Sequence, residues 1–102
     1  MNLVTRKKLE IFVEAHALSH VERMLLDEGV KGWSVFDGVE GAGAHGAWRQ
    51  SALDGGGDMR LIIAVTNEPA AQKALAWLKD YFSDYRGLVC LSDVQVLRPE
   101  RF

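Results

Sequence analysis

The sequence predicts an α+β domain in which two helices cover one face of a four-stranded antiparallel sheet, in the order βαββαβ, and three observations carry that prediction. Apolar residues alternate with polar ones over 8–15 and 32–40, the period of two expected of half-buried strands. They recur at helical spacing in two other stretches, each with its own start or stop residues. A continuous apolar run, Leu61-Ile62-Ile63-Ala64-Val65, reads as a strand covered on both faces.

The first strand is expected over Lys8 to Ala15, with Leu9, Ile11 and Val13 on one side and Glu10 and Glu14 on the other. Ser19 followed by Glu22 has the form of a capping box, Val21, Met24 and Leu25 share a helical face, and Gly29 supplies a left-handed residue to end that first helix. The second strand runs from Gly32 to Glu40 through Trp33, Val35 and Val39, and the third from Arg60 to Thr66. Asn67, Glu68 and Pro69 start the second helix, whose apolar face is Ala71, Ala74, Leu75, Leu78 and Phe82 and which ends near Gly87. Leu88 to Leu97 reads as the fourth strand, closed by Pro99. This order matches the split βαβ, or ferredoxin-like, arrangement.

Composition bounds the function. The chain has 102 residues, 48% of them hydrophobic and a formal charge of −2, which describes one domain over 1–102 with enough apolar residues for a core. Twelve basic residues against fourteen acidic ones leave no broad cationic footprint for nucleic acid. One cysteine, Cys90, excludes an internal disulfide; it sits in an apolar run and is expected to be a buried small hydrophobe. Arg6, Lys7 and Lys8 are not followed by an apolar leader segment, and no window approaches the roughly 20 apolar residues of a membrane span, so a cytoplasmic protein without membrane insertion is expected.

Helices on one side leave the other sheet face bare. Strand parity is expected to put Phe12, Ile62, Ala64 and Phe36 there, more apolar surface than a lone monomer exposes, and a cyclic oligomer of identical copies follows.

Between the second and third strands lies Gly41 to Asp58, GAGAHGAWRQSALDGGGD, which holds six of the ten glycines and no regular apolar pattern. A connection this long in a small domain points to function. Gly41, Gly43 and Gly46 are spaced so that backbone amides can form an anion-binding nest, for which phosphate is the natural guest; the same spacing also suits a plain flexible connection. Arg98 and Arg101 can reach a phosphate at a subunit boundary or lie in a solvated C-terminal strand. His45 can donate to phosphate or bicarbonate, and Trp48, Arg49 and Gln50 form an aromatic-arginine cluster of the kind that anchors a protein partner. A second reading takes His16, His20 and His45 as ligands of a divalent metal, although none of the tight ligand spacings is present. An acylphosphatase-type enzyme would need an arginine-bearing anion loop after the first strand, where this chain has Ala15-His16-Ala17-Leu18, and no activated nucleophile or acid-base carboxylate pair is visible.

The run Gly29-Val30-Lys31-Gly32-Trp33-Ser34-Val35, followed by Gly41-Ala42-Gly43, resembles the second strand and T-loop entrance of PII signalling proteins. The second helix, the segment Gly87 to Val94 with its Ser92-Asp93-Val94, and the basic C-terminal strand fall where that pattern has them, so the resemblance spans Lys8 to Arg101. It implies a homotrimer that binds an adenine nucleotide (ADP, AMP or ATP) in clefts between subunits and regulates a partner through the T-loop, without catalysis. It also implies that Ser34 and the backbone of Ile62 and Ala64 hold the adenine or ribose, and that Gly87 belongs to the phosphate loop. The departures are specific. Glu14-Ala15-His16-Ala17 replaces Lys-Pro-Phe-Lys, Ala44-His45 replaces Arg-Gln, the loop has no tyrosine to modify, and Leu88 stands at the phosphate-binding lysine. Loss of that point charge implies a nucleotide held without strict need of a triphosphate. These traits are similar to those of the PII-like subfamily associated with carboxysomes and inorganic-carbon transport, which implies bicarbonate as a co-ligand and a transporter, enzyme or shell component as partner.

Overall fold

The computed structural model describes residues 1–44, 46–50, 58–98 and 100. Strand β1 (Val4–Glu14) begins four residues earlier than its alternation suggests, because Val4 to Lys7 pair with the far end of the last strand. A 3-10 turn (Ala15–Ala17) carries the chain off the sheet straight into α1 (Leu18–Asp27). The expected capping box is therefore not formed. Ala17 is the N-cap, without a side-chain bond, and Ser19 already lies inside the first helical turn. Glu22 is engaged elsewhere, accepting a 2.9 Å hydrogen bond from Trp33 Nε1 that ties α1 to the next strand. Gly29 ends the helix with φ of +91° as expected.

Strand β2 (Trp33–Asp37) is followed by a feature the sequence pattern did not reveal. Residues expected to form an irregular loop instead make a hairpin of β3 (Glu40–Gly43) and β4 (Gly46–Arg49), in register from Glu40 opposite Arg49 to Gly43 opposite Gly46. Val39 is consequently not a strand residue of the main sheet and is exposed. Then come β5 (Met59–Thr66), α2 (Glu68–Tyr81) and β6 (Gly87–Val96). The start of α2 is as anticipated: Asn67 Oδ1 accepts from the Ala70 amide at 2.9 Å. Its end is not, since the helix closes at Tyr81 and turns fill the gap to Gly87.

The main sheet has the order β2-β5-β1-β6 with every neighbour antiparallel. Register decides which face each residue occupies. Leu9 lies between Ala64 and Leu91, and Ile11 between Ile62 and Val89, so these side chains share the face covered by the helices. There Leu9, Ile11, Val13, Ile62 and Ala64 pack with Val21, Met24 and Leu25 of α1 and Ala70, Ala74 and Leu78 of α2. Ile62 and Ala64, expected on the bare face, are thus core residues. A one-residue parity step in a continuous apolar run moves every side chain to the other side. The bare face carries Phe12, Leu61, Ile63, Phe36 and Leu88 instead, and also Cys90, which is exposed in the single chain rather than buried. No helix among the described residues is long and apolar enough to cross a membrane.

Candidate functional site

At one end of the sheet the bare face bears an apolar row that crosses all four strands in register: Phe36 on β2, Leu61 on β5, Phe12 on β1 and Leu88 on β6. Phe36 and Leu88 remain half exposed, at 50% and 51%. Over this row opens a cleft of about 710 Å3, bounded on one side by the hairpin and its root, from Asp37 to Ala44 and Trp48, and on another by Phe82 and the Tyr85-Arg86-Gly87 turn that leads into β6. An apolar floor with a few convergent polar groups is the usual make-up of a small-molecule site.

The hairpin is fastened at its root. The Gly38 amide donates to the Met59 carbonyl at 2.9 Å, the Gln50 amide to the Val39 carbonyl at 2.8 Å, and the Ala15 amide to the Asp58 carbonyl at 2.9 Å. Trp48 lies across from Gly41 in the ladder, and its ring fills the space that side chains at Gly38 or Gly41 would need: a Cβ built at either would come within 2.8 Å of the indole. Trp48 is therefore turned to the cleft, where it was expected to reach outward to a partner. Arg49 pairs with Glu40 at 3.4 Å on the outer side.

Gly87 closes the other side. Its φ is +140°, and a Cβ there would collide with the Phe12 carbonyl oxygen and approach the Phe82 ring at 2.5 Å. The backbone of the turn can lie against β1 only because this residue has no side chain. Beside it Tyr85 continues an aromatic ladder: Tyr85 stacks on Tyr81 at 4.6 Å, Tyr81 on Trp77 at 5.3 Å, and His20 of α1 tilts against Trp77 at 5.7 Å. Burial, with the nearby Glu14 carboxylate and Tyr85 adding, pushes the Tyr81 phenol above its ordinary range.

Two arginines stand at this end of the sheet, Arg86 in the turn beside the cleft and Arg60 across the ladder from Val13 and Asp37, on the helix-covered face. Arg60 Nε lies 3.0 Å from Asp37 Oδ1 and its Nη1 donates to the Met59 carbonyl at 3.1 Å; Arg86 Nη1 lies 3.9 Å from Glu14 Oε2. A guanidinium carries five donors in a fixed fork, so both retain capacity for an anion.

Of the residues singled out from sequence, Gly41, Gly43, Gly87 and Trp48 line this cleft. The nest of successive amides is not formed, because Gly41, Gly43 and Gly46 lie in an antiparallel ladder, where successive N–H groups point to opposite sides. Ser34 is exposed on β2, away from the cleft, while the backbone of Ile62 and Ala64 lies in the central strand β5, flanked by β1 and β2. Arg98 is exposed beyond the end of β6, which stops at Val96, so it is not a strand residue as expected. His45, Arg101 and residues 51–57 lie outside the described residues. His16 sits 3.4 Å from Glu14 and His20 against Trp77, and no group of three metal-ligating side chains occurs among the described residues. Arg86, Tyr85 and the cross-strand apolar row were missed. Arg86 had a readable signal, a cation beside the turn glycine; the row needed strand register, which the sequence does not supply.

The family model described as nitrogen regulatory protein P-II matches residues 6–101. No curated protein sequence matches the chain. Among solved structures, CPII of Thiomonas intermedia K12, a nitrogen regulatory PII-like protein bound to ADP, AMP and bicarbonate, is 30% identical, with 99% of this chain and 96% of that one covered and a TM-score of 0.91. The same protein bound to ADP and bicarbonate is 31% identical over 99% of this chain and 97% of that one, TM-score 0.89. A PII-like signalling protein of Thermus thermophilus, 23% identical with 100% and 99% of the chains covered and a TM-score of 0.86, shares the fold.

Proposed function

The chain belongs to the nitrogen regulatory protein P-II family, and from that premise we propose that it is a non-enzymatic PII-like regulator that binds an adenine nucleotide, ADP or AMP foremost, in the cleft at the hairpin root. The observation that carries this reading is the cleft itself, where an apolar cross-strand row faces a hairpin, a glycine turn and Arg86. The flat base rests on the row beneath Trp48, and the phosphates meet Arg86 and the backbone beside Gly41, Gly43 and Gly87. With Leu88 where a lysine would hold a third phosphate, ATP has no added advantage over ADP or AMP.

The solved relative carries bicarbonate together with ADP and AMP, which supports bicarbonate as co-ligand here; a small planar anion also suits a bidentate guanidinium. Half-exposed Phe36 and Leu88 on the bare face support assembly into a homotrimer, in which a second copy covers the open side of the cleft and brings Arg98 and Arg101 to the phosphates. Ser34 then lies at the subunit boundary, and His45, which the sequence places between Ala44 and Gly46, is a further candidate donor to phosphate or bicarbonate. The output is conformational. Ligand under Trp48 selects one hairpin position, and a partner such as a transporter, enzyme or carboxysome component reads it through Arg49 and Gln50. Isothermal titration of ADP, AMP and ATP, each with and without bicarbonate, tests the reading. Binding near one site per chain, tightened by bicarbonate, is expected; absence of binding by all three nucleotides overturns it.

A further inference from the structure

We propose that Glu14 is the internal counter-ion of Arg86, the arginine that meets the ligand's phosphate, and that His16, by sharing the same carboxylate, sets how much of the Arg86 charge the ligand receives. The inference rests on the nucleotide reading and adds to it two residues that fix the affinity of its anion end. Phe12 faces Leu88 and Val13 faces Gly87 in the last two rungs between β1 and β6. Glu14 and Arg86 occupy the next position on either strand, on the Phe12–Leu88 side of the sheet. The 3-10 turn after β1 then brings His16 back beside Glu14. One carboxylate thus serves two side chains: its Oε1 lies 3.4 Å from His16 Nε2 and its Oε2 3.9 Å from Arg86 Nη1.

The Glu14 side chain is 16% exposed and does not line the cleft, whereas that of Arg86 is 36% exposed and does. Glu14 therefore acts on a ligand through Arg86, as a positioning residue. Its hold is loose, since 3.9 Å is beyond hydrogen-bond distance, and among the described residues it is the one carboxylate within ion-pair range of that guanidinium. The other charged or titratable groups at this corner are the Tyr81 and Tyr85 phenols, buried Asp58 at the head of β5, and Arg60, which Asp37 pairs. The Tyr81 phenol is raised first by burial and then by the Glu14 carboxylate, so it stays neutral near pH 7. Histidine is the side chain among these that changes charge between about pH 5 and 8. As pH falls His16 gains a proton, donates through both ring nitrogens and tightens on Glu14, which is drawn from Arg86 and leaves the guanidinium to the phosphate. As pH rises, neutral His16 returns the carboxylate to Arg86.

Titration of ADP into the full chain at pH 6 and pH 8 tests the assignment. Glu14→Gln removes the counter-ion and is expected to bind ADP about two- to fivefold tighter than wild type at pH 8, the weight of one loose, part-exposed pair. Arg86→Gln is expected to bind more than about fivefold weaker. The phosphate itself gains a proton near pH 6, a change that cancels when two proteins are compared at the same pH. The ratio of wild-type to His16→Gln affinity is expected to be about one at pH 8 and about twofold or more at pH 6. In a Glu14→Gln background, His16→Gln is expected to shift affinity by less than about twofold at either pH. A carboxylate that merely braces the turn makes Glu14→Gln bind equally or more weakly. That result, wild-type binding by Arg86→Gln, or a His16 ratio that is the same at both pH values overturns the proposal and leaves the nucleotide site standing. If the wild-type chain takes up no ADP at either pH, the site and its counter-ion fall together.

Discussion

Gly87→Ala is the substitution whose cost the structure specifies most closely. Two separate penalties meet at this residue. Its φ of +140° lies where a residue with a side chain is strained, at about 1–3 kcal/mol. The added Cβ also collides with the Phe12 carbonyl oxygen and comes within 2.5 Å of Phe82 Cε1. Phe12 lies in a central strand paired on both sides, so its carbonyl cannot retreat without disturbing two ladders, and overpacking of this kind costs a further 1–3 kcal/mol or so. A sum of about 2–6 kcal/mol is a large share of the stability of a small domain and lowers its melting temperature by at least about 8 °C, at roughly 4 °C per kcal/mol. Two other glycines calibrate the result. Gly29→Ala meets no neighbour within 4 Å and pays only for a φ of +91°, about 1 kcal/mol. Gly43→Ala meets nothing and is not at positive φ, so it stays within about 0.5 kcal/mol. Thermal melts followed by circular dichroism at one fixed protein concentration give the order directly. A Gly87→Ala protein melting within 3 °C or so of wild type, or a Gly43→Ala protein equally damaged, refutes the reasoning.

Four further outcomes are expected. Ile63→Glu puts a carboxylate on the bare face directly opposite Glu10, so light scattering at low micromolar concentration is expected to report monomer in place of the trimer proposed for the wild-type chain. Trp48→Ala removes the cover of the cleft while leaving the sheet intact, and weakens ADP about tenfold or more by calorimetry with little change in melting temperature. The Tyr81 phenol is raised in the folded state, so the stability it lends is fully present below its unfolded value near 10 and is lost as pH climbs through the higher folded value; Tyr81→Phe flattens the alkaline limb of a stability-against-pH curve. Trp33→Phe deletes the 2.9 Å bond to Glu22 and costs about 1 kcal/mol in urea denaturation.

What could be read from the sequence follows from where physics is local. Leu9, Ile11 and Val13 alternate against charged neighbours, so the face they bury is written in the pattern, and Asn67 with Pro69 marks a helix start by chemistry that acts within one turn. Ile62 and Ala64 were misplaced because an unbroken apolar run has no polar residue to mark its parity; only pairing with Ile11 and Leu9 assigns the face. Ser19 and Glu22 have the spacing of a capping box but lose that role to the 3-10 turn before them, and Glu22 goes instead to Trp33. The same limit applies at the site. Gly41 and Gly43 were legible as cleft residues, yet the reason is not a nest of amides. Gly41 makes room for Trp48, a partner seven residues on that becomes visible only once the hairpin register is known.

At the end of the sheet the residues that fix the fold also wall the cleft. Gly87 must lack a side chain to let its turn lie on Phe12, and that turn carries Tyr85 and Arg86 into the cleft. Tyr85 is in turn the last ring of a stack running back along α2 to His20, so the cleft wall is braced by the helical layer. The opposite wall shows no such ring stack among the described residues. The hairpin is joined to the main sheet by a few backbone bonds at its root and by the Asp37–Arg60 pair, and its β3–β4 ladder belongs to a separate two-stranded sheet. Under the proposed function, one braced wall and one weakly fastened wall around a common ligand would turn the free energy of binding into motion of the hairpin. A fold whose two walls were equally braced would bind without signalling.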